Sequence, residues 1–125
     1  MRIVLDNGAL APTIDSDTDA GLILYSPKEF VIRAHNSNTI DTGVHIDIPH
    51  GYAGFLKSID GLNKRWSIQC DGVVKADDMN SIVVKLYNHA NVPYVIKKGN
   101  KIAQLVIVKI NTPELELGYN ENSND

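Results

Sequence analysis

Hydrophobic and polar positions alternate with a period of two along much of the chain. In TGVHIDIP, Val44, Ile46 and Ile48 interleave with His45 and Asp47. In SIVVKLYN, Ile82, Val84 and Leu86 interleave with Val83, Lys85 and Tyr87. Alternation of this kind sends apolar side chains to one face of an extended backbone and predicts half-buried strands. KIAQLVIVKI is apolar on both faces apart from its ends and Gln104, which predicts a strand enclosed between two layers. Shorter strands are predicted at 2–5, 21–25, 30–33, 54–58, 72–74 and 94–96. Turn signals separate them: Asn7-Gly8, Ser26-Pro27, Pro49 through Gly51, Asp71-Gly72 and Lys98-Gly99-Asn100. Only residues 61–66 have room for a turn or two of helix. Many short strands at near-regular spacing predict an all-β sandwich or barrel.

Composition narrows the class without naming a function. A chain of 125 residues suits one domain with a real core. Hydrophobic residues at 43% and charged residues at 22% are ordinary for a globular protein. A net charge of −3 supplies no electrostatic reason for nucleic acid or an anionic membrane as partner. No apolar run is long enough to span a bilayer, and MRIVLDNGAL is too short and polar for a secretory signal, so a cytoplasmic setting is expected. The single cysteine, Cys70, excludes an internal disulfide and reads as a small buried apolar residue.

Candidate chemistry is sparse. Asp15, Asp17 and Asp19 alternate as in a calcium loop, but the sharp-turn position holds Ala20 and the twelfth holds Ser26. A solvated acidic loop explains them better. His35, His45, His50 and His89 lack the spacing that brings two imidazoles onto one ion. No nucleophile elbow or phosphate-binding glycine loop occurs. Asp60, Asp77 and Asp78 could gather for magnesium or general-base work, although adjacent residues in a strand point to opposite faces. The stretch DGVVKADDMN, 71–80, therefore reads as a working acid–base site, a solvated hairpin tip or a vacated site.

The order of these segments resembles the trimeric dUTPase family, in particular its small phage and Gram-positive members. AGLILYS is similar to the family's first motif, and GVHIDIPHGYAGFLKS to the strand entering the second. GLNKRW resembles the short helix behind the second motif, and DGVV followed by SIVVKLYNH resembles the third. GNKIAQLVIVKI resembles the fourth, and TPELEL the lead-in to a C-terminal arm. The resemblance implies a jelly-roll β-sandwich, a homotrimer with active sites shared between subunits, and magnesium-dependent cleavage of dUTP to dUMP and pyrophosphate. It also implies a β-domain over 1–117 and a short mobile tail over 118–125 that lacks the fifth-motif arm.

Position by position, the chain departs from the family's chemistry. The magnesium-holding Asp of the first motif is Ile23, which offers no oxygen. The cation and hydroxyl of the second motif are Ile59 and Asp60, followed by the matching Gly61. A carboxylate ~4 Å from a phosphate charge repels it by ~4 kcal/mol at an effective dielectric near ~20. In the third motif the water-positioning Asp is Lys75, the sugar-packing Tyr is Asp78 and the closing Gly is Asn80. Loss of a positioned base costs ~10²–10⁴ in rate. The fourth motif keeps Gly99 and Gln104, with Asn100 for Asp.

The expectation is therefore a pseudoenzyme. The chain keeps the fold, has lost dUTP hydrolysis, and acts by binding a protein such as a repressor, or a nucleotide, as a phage regulatory protein would. No catalytic residue and no metal ligand is expected, and no cofactor unless residual activity calls for magnesium. Gly61, Val73, Val74 and Gln104 are the expected nucleotide contacts. The alternatives are a functional or weak dUTPase and a nucleotide-binding module of altered specificity.

Overall fold

The computed structural model describes residues 1–14, 21–59, 61–62 and 68–122. Eleven strands follow one another: β1 (Ile3–Leu5), β2 (Thr13–Ile14), β3 (Leu22–Tyr25), β4 (Phe30–Ile32), β5 (Ser37–Asp41), β6 (Val44–Ile46), β7 (Tyr52–Lys57), β8 (Ile68–Lys75), β9 (Val83–Asn88), β10 (Tyr94–Ile96) and β11 (Lys101–Lys109). Seven form one sheet in the order β2-β3-β11-β7-β8-β9-β5, and two further pairs, β1-β6 and β4-β10, complete the sandwich. Every pairing is antiparallel. This is the expected jelly-roll architecture. Of the helical turn expected at 61–66, Gly61 and Leu62 are helical and the rest lies outside the described residues, as does the acidic loop of Asp15, Asp17 and Asp19.

The period-two runs bury the side chains that alternation assigns to the core. Val44, Ile46 and Ile48 from one segment meet Ile82, Val84 and Leu86 from another, and Leu24, Ile32, Ile40, Ile96 and Leu105 fill the space between. Each fully buried aliphatic side chain is worth about 1.5–3 kcal/mol of transfer free energy. Three polar side chains enter this interior, and all three are bonded. Asn88 donates to the carbonyls of Ile32 and Val92 and accepts from the Ala90 N–H, which closes the loop between β9 and β10. Thr42 Oγ1 donates to the Ile82 carbonyl, and Ser26 Oγ donates to the Lys28 carbonyl. No buried side-chain nitrogen or oxygen among the described residues lacks a partner.

The strand β11 differs from its sequence reading. Its first half is enclosed, with Ile102, Ala103 and Leu105 buried, but Val108 is exposed, as is Ile110 just beyond the strand. Among the described residues nothing covers the outer face of the sheet there. The strand pairs with β3 over its first half and with β7 over its second.

Gly21 fixes the approach of β3 to β11. Its φ is +95°, and a Cβ placed there would lie 2.2 Å from the Leu105 carbonyl oxygen, a backbone atom that cannot turn aside. Left-handed strain and overpacking each cost about 1–3 kcal/mol. Gly21→Ala is expected to lower stability by about 3 kcal/mol and the thermal midpoint by roughly 10 °C. Thermal unfolding followed by circular dichroism measures this, and an unchanged midpoint would contradict the close approach.

Candidate active site

The register of the large sheet assembles one row of side chains that no local pattern reveals. Thr13 pairs with Ile23, Ile23 with Gln104, Gln104 with Lys57, and Lys57 with Asp71. Directly paired residues share a face, so these five cross β2, β3, β11, β7 and β8 on the outer surface of the sheet. Ile23 is 2% exposed and Gln104 half-buried, while Lys57 and Asp71 are open to solvent. The positions expected for the first and fourth motifs, Ile23 and Gln104, are thus cross-strand neighbours.

A second set lies farther along the same face. Phe55 pairs with Val73 and Ala53 with Lys75, so β8 presents Asp71, Val73 and Lys75 while β7 presents Lys57, Phe55 and Ala53. An apolar middle is flanked by a cation at either end. Lys75 opens onto a depression of about 500 Å³ bordered by His50, Tyr52, Phe55, Asp77 and Thr112. His50 Nδ1 lies 3.5 Å from Asp77 Oδ2, a loose contact between two exposed side chains. Asp77 has a φ of +61°, a left-handed conformation that Asp tolerates better than most residues. Asp78 turns inward to its own loop, accepting from the Asn80 N–H at 3.0 Å.

The backbone of β8 is free along one edge here. Strand β9 pairs with Ile68, Gln69 and Cys70, whereas β7 pairs with Asp71 to Lys75. Among the described residues no strand pairs with the outer edge of β8 from Asp71 onward, which leaves its N–H and C=O groups able to bond a planar polar ligand. Gly72, φ +155°, lies in this edge with space for a Cβ restricted to 3.2 Å by Leu56.

Of the expected nucleotide contacts, Val73 and Val74 lie on that edge, Gln104 lies in the row with Ile23, and Gly61 is exposed beyond β7. Asp60 is outside the described residues. Within one chain Ile23 and Lys75 do not meet. They are separated by about 13 Å along β8 and about 14 Å across three strand spacings. Sequence reading missed Lys57, Asp71, His50 and Tyr52, because only the pairing register shows that they share a face with Lys75.

Among the described residues no three His, Cys, Asp or Glu side chains converge as metal ligands. Ile23 presents methyl groups to Thr13 and Gln104. The described residues of the first-motif row do not fit a magnesium ion held by protein carboxylates, since a hard cation requires oxygen.

Comparison with known proteins places these features. The family pattern for dUTPase matches residues 7–125. A deoxyuridine 5'-triphosphate nucleotidohydrolase of Solanum lycopersicum is 34% identical over 113 residues, covering 90% of this chain and 67% of the relative. A structure of the Staphylococcus bacteriophage 80alpha dUTPase, a point mutant with dUpNHpp, superposes with a TM-score of 0.88 at 26% identity, over 98% of this chain and 97% of that one. A point mutant of the dUTPase from phage phi11 of S. aureus superposes with a TM-score of 0.87 at 27% identity over 98% of each chain, and its structure concerns the coordination of a structural Mg(II) ion.

These relatives overturn the expectation of a pseudoenzyme that has lost hydrolysis. Curated proteins across most of the chain's length carry the name of the hydrolase, not of an inactive binding protein. That expectation rested on Ile23, Asp60, Lys75 and Asp78 taken one at a time. Phosphoryl transfer depends chiefly on positioning and electrostatics supplied by many groups, backbone included. The expectation that no cofactor is needed is left without support, since the phi11 relative coordinates a structural Mg(II) ion.

Cys70 borders a separate depression, beside Lys57, Ser58 and Asp71, without being a nucleophile. Burial, with a smaller contribution from the Asp71 charge, pushes its thiol up to about 11. At pH ~8 its thiolate is on the order of 10²-fold scarcer than that of an exposed cysteine. Modification by a thiol-specific disulfide reagent is expected to be slower by about that factor in the folded protein than in denaturant. Equal rates in the two states would contradict the burial of Cys70.

Proposed function

The chain belongs to the dUTPase family, and from that premise we propose that it is a dUTP diphosphatase. Water adds across the α–β phosphoanhydride of dUTP, the bridging P–O bond breaks, and dUMP, pyrophosphate and a proton leave. The observation that carries this reading is the free edge of β8 from Asp71 to Lys75 beside an apolar floor of Phe55 and Val73. A pyrimidine carries donors and acceptors on its rim and an apolar face. Strand-edge amides suit the rim, and the Phe55–Val73 pair suits the face and the sugar.

Beyond that floor Lys75 sets a cation where phosphate charge develops, which a protonated amine stabilises through space. Of the groups bordering the depression, His50 alone carries an imidazole, whose ring nitrogen can accept a proton. Asp77 orients it through a contact that is loose without substrate, as catalytic contacts often are. His50 takes the proton of the attacking water and Lys75 holds the triphosphate. Gln104 and Lys57 extend the polar row toward the neighbouring part of the site.

A homotrimer completes the picture. Val108 and Ile110 form exposed apolar surface on the outer face of the sheet beside that floor, where burial by a second copy would remove them from water. Because Ile23 and Lys75 are far apart within one chain, a shared site brings the first-motif row of one subunit to the hairpin of another. Light scattering on the purified protein is expected to return about three times the chain mass of 13.7 kDa. A monomer at micromolar concentration would remove the shared site.

Incubation with dUTP and magnesium is expected to release pyrophosphate continuously, with dCTP and dTTP far poorer substrates. His50→Gln is expected to lower kcat by ~10²-fold or more, and Lys75→Ala to raise KM. Absence of pyrophosphate above a protein-free blank at millimolar dUTP would overturn the reading.

A further inference from the structure

His45 lies at the centre of β6, outside the depression, and its ring joins two segments far apart in sequence. The side chain is 22% exposed. Nδ1 lies 2.6 Å from the Met79 carbonyl oxygen and Nε2 lies 2.9 Å from Asp6 Oδ1. Both partners are hydrogen-bond acceptors, a carbonyl and a carboxylate. A neutral imidazole has one N–H, so one of the two contacts would set lone pair against lone pair. Only the imidazolium satisfies both.

The charged groups facing the ring are Asp6, which follows β1, and Asp41, at the end of β5. From the loop after β8 comes the neutral Met79 carbonyl. Asp41 is itself held as a carboxylate, its pKa lowered by the Ser81 hydroxyl and the Gly43 N–H. The Met79 carbonyl and then Asp6 raise the pKa of His45 above its ordinary value, against a smaller opposing effect of burial.

Met79 belongs to the loop that leaves β8 after Lys75 and carries Asp77 past the depression. The far end of this loop is firmly attached. Ser81 donates to Asp41, the Ile82 N–H donates to the Val44 carbonyl at 2.8 Å, and the Thr42 N–H donates to the Ile82 carbonyl at 3.0 Å. The near end has the 3.5 Å contact of Asp77 with His50, and between the two stands the Met79–His45 bond.

We propose that His45 is a positioning residue, a latch that holds the Ala76–Asn80 loop against β6 when its ring is protonated and releases it when the ring is neutral. This rests on the reading of the Lys75 depression as the dUTP site. His45 touches neither substrate nor reacting atoms; it acts through Met79 on the placement of Asp77. Its pKa is raised on folding. The latch therefore contributes fully below the ordinary unfolded value near ~6.5 and is lost as pH rises through the higher folded value.

The test is a pH titration of the full-length protein by NMR, following the four histidine rings and the backbone amides of residues 76–80. His45 is expected to titrate above the ordinary imidazole value, and the loop amides to shift with the same midpoint. Asp6→Asn is expected to lower that midpoint, with the loop amides following it. In parallel, KM for dUTP is expected to rise across the same pH window in the wild type and to lose that dependence in His45→Gln, with kcat less affected. A ring that titrates at or below its ordinary value, or loop amides that ignore it, would overturn the latch even if dUTP is cleaved. Co-titration without any pyrophosphate release would support the latch and overturn the dUTP reading instead.

Discussion

Strand β8 changes partner part-way along, and much of the rest depends on that switch. From Ile68 to Cys70 it pairs with β9, while the Ser58 hydroxyl bonds the N–H and the carbonyl of Cys70. From Asp71 to Lys75 only β7 holds it. The cross-strand pairs Phe55–Val73 and Lys57–Asp71 contribute about 0.2–1 kcal/mol each, enough to keep the segment extended but not to satisfy its outer edge. An exposed strand edge is ordinarily a liability for a protein, inviting a second chain to pair with it. Here it is short, it contains Gly72, and it ends in charge at Lys75. Those properties suit a small planar ligand better than another strand.

The outer face of the sheet and its inner face have separate tasks. Inward, the alternating aliphatic residues pack one core and fix the register of β3, β11, β7 and β8. Outward, the same register decides which polar side chains become neighbours. A one-residue slip in β8 would send Val73 and Lys75 to the interior and Val74 outward. The core packing of Leu56, Cys70 and Leu105 therefore sets the chemistry of the site, although none of these side chains acts on a ligand. Gly21 belongs to this same constraint, since β3 can dock on β11 only where a Cβ is absent.

Most of the framework was legible from the chain because burial on one face writes itself as alternation. Val44, Ile46, Ile48, Ile82, Val84 and Leu86 were assigned to the core from spacing and lie there. Two strands were missed. In β5, SNTID, only Ile40 is buried, so no alternation exists to be read; β2 is two residues long. The length of β8 was underestimated because Gln69, Asp71 and Gly72 break the apolar pattern where the strand leaves the core. Val73, Val74 and Gln104 were named through resemblance alone. The row from Thr13 to Asp71 was not legible, because it unites five strands distant in sequence. His45 looked like one more polar residue on a strand; its role as a bridge depends on Asp6 and Met79, which are remote from it along the chain. The expectation of lost hydrolysis came from the same blindness, since single positions were judged without the groups that surround them in space.

The placement of the nucleotide on the β8 edge is tested most directly by titrating isotopically labelled protein with dUMP and following backbone amides. The N–H groups of Asp71 to Lys75 are expected to shift and to slow in hydrogen exchange, with smaller effects at Gln104. Shifts confined to another surface, such as that around His35 and His89, or no saturable shift at millimolar dUMP, would contradict it.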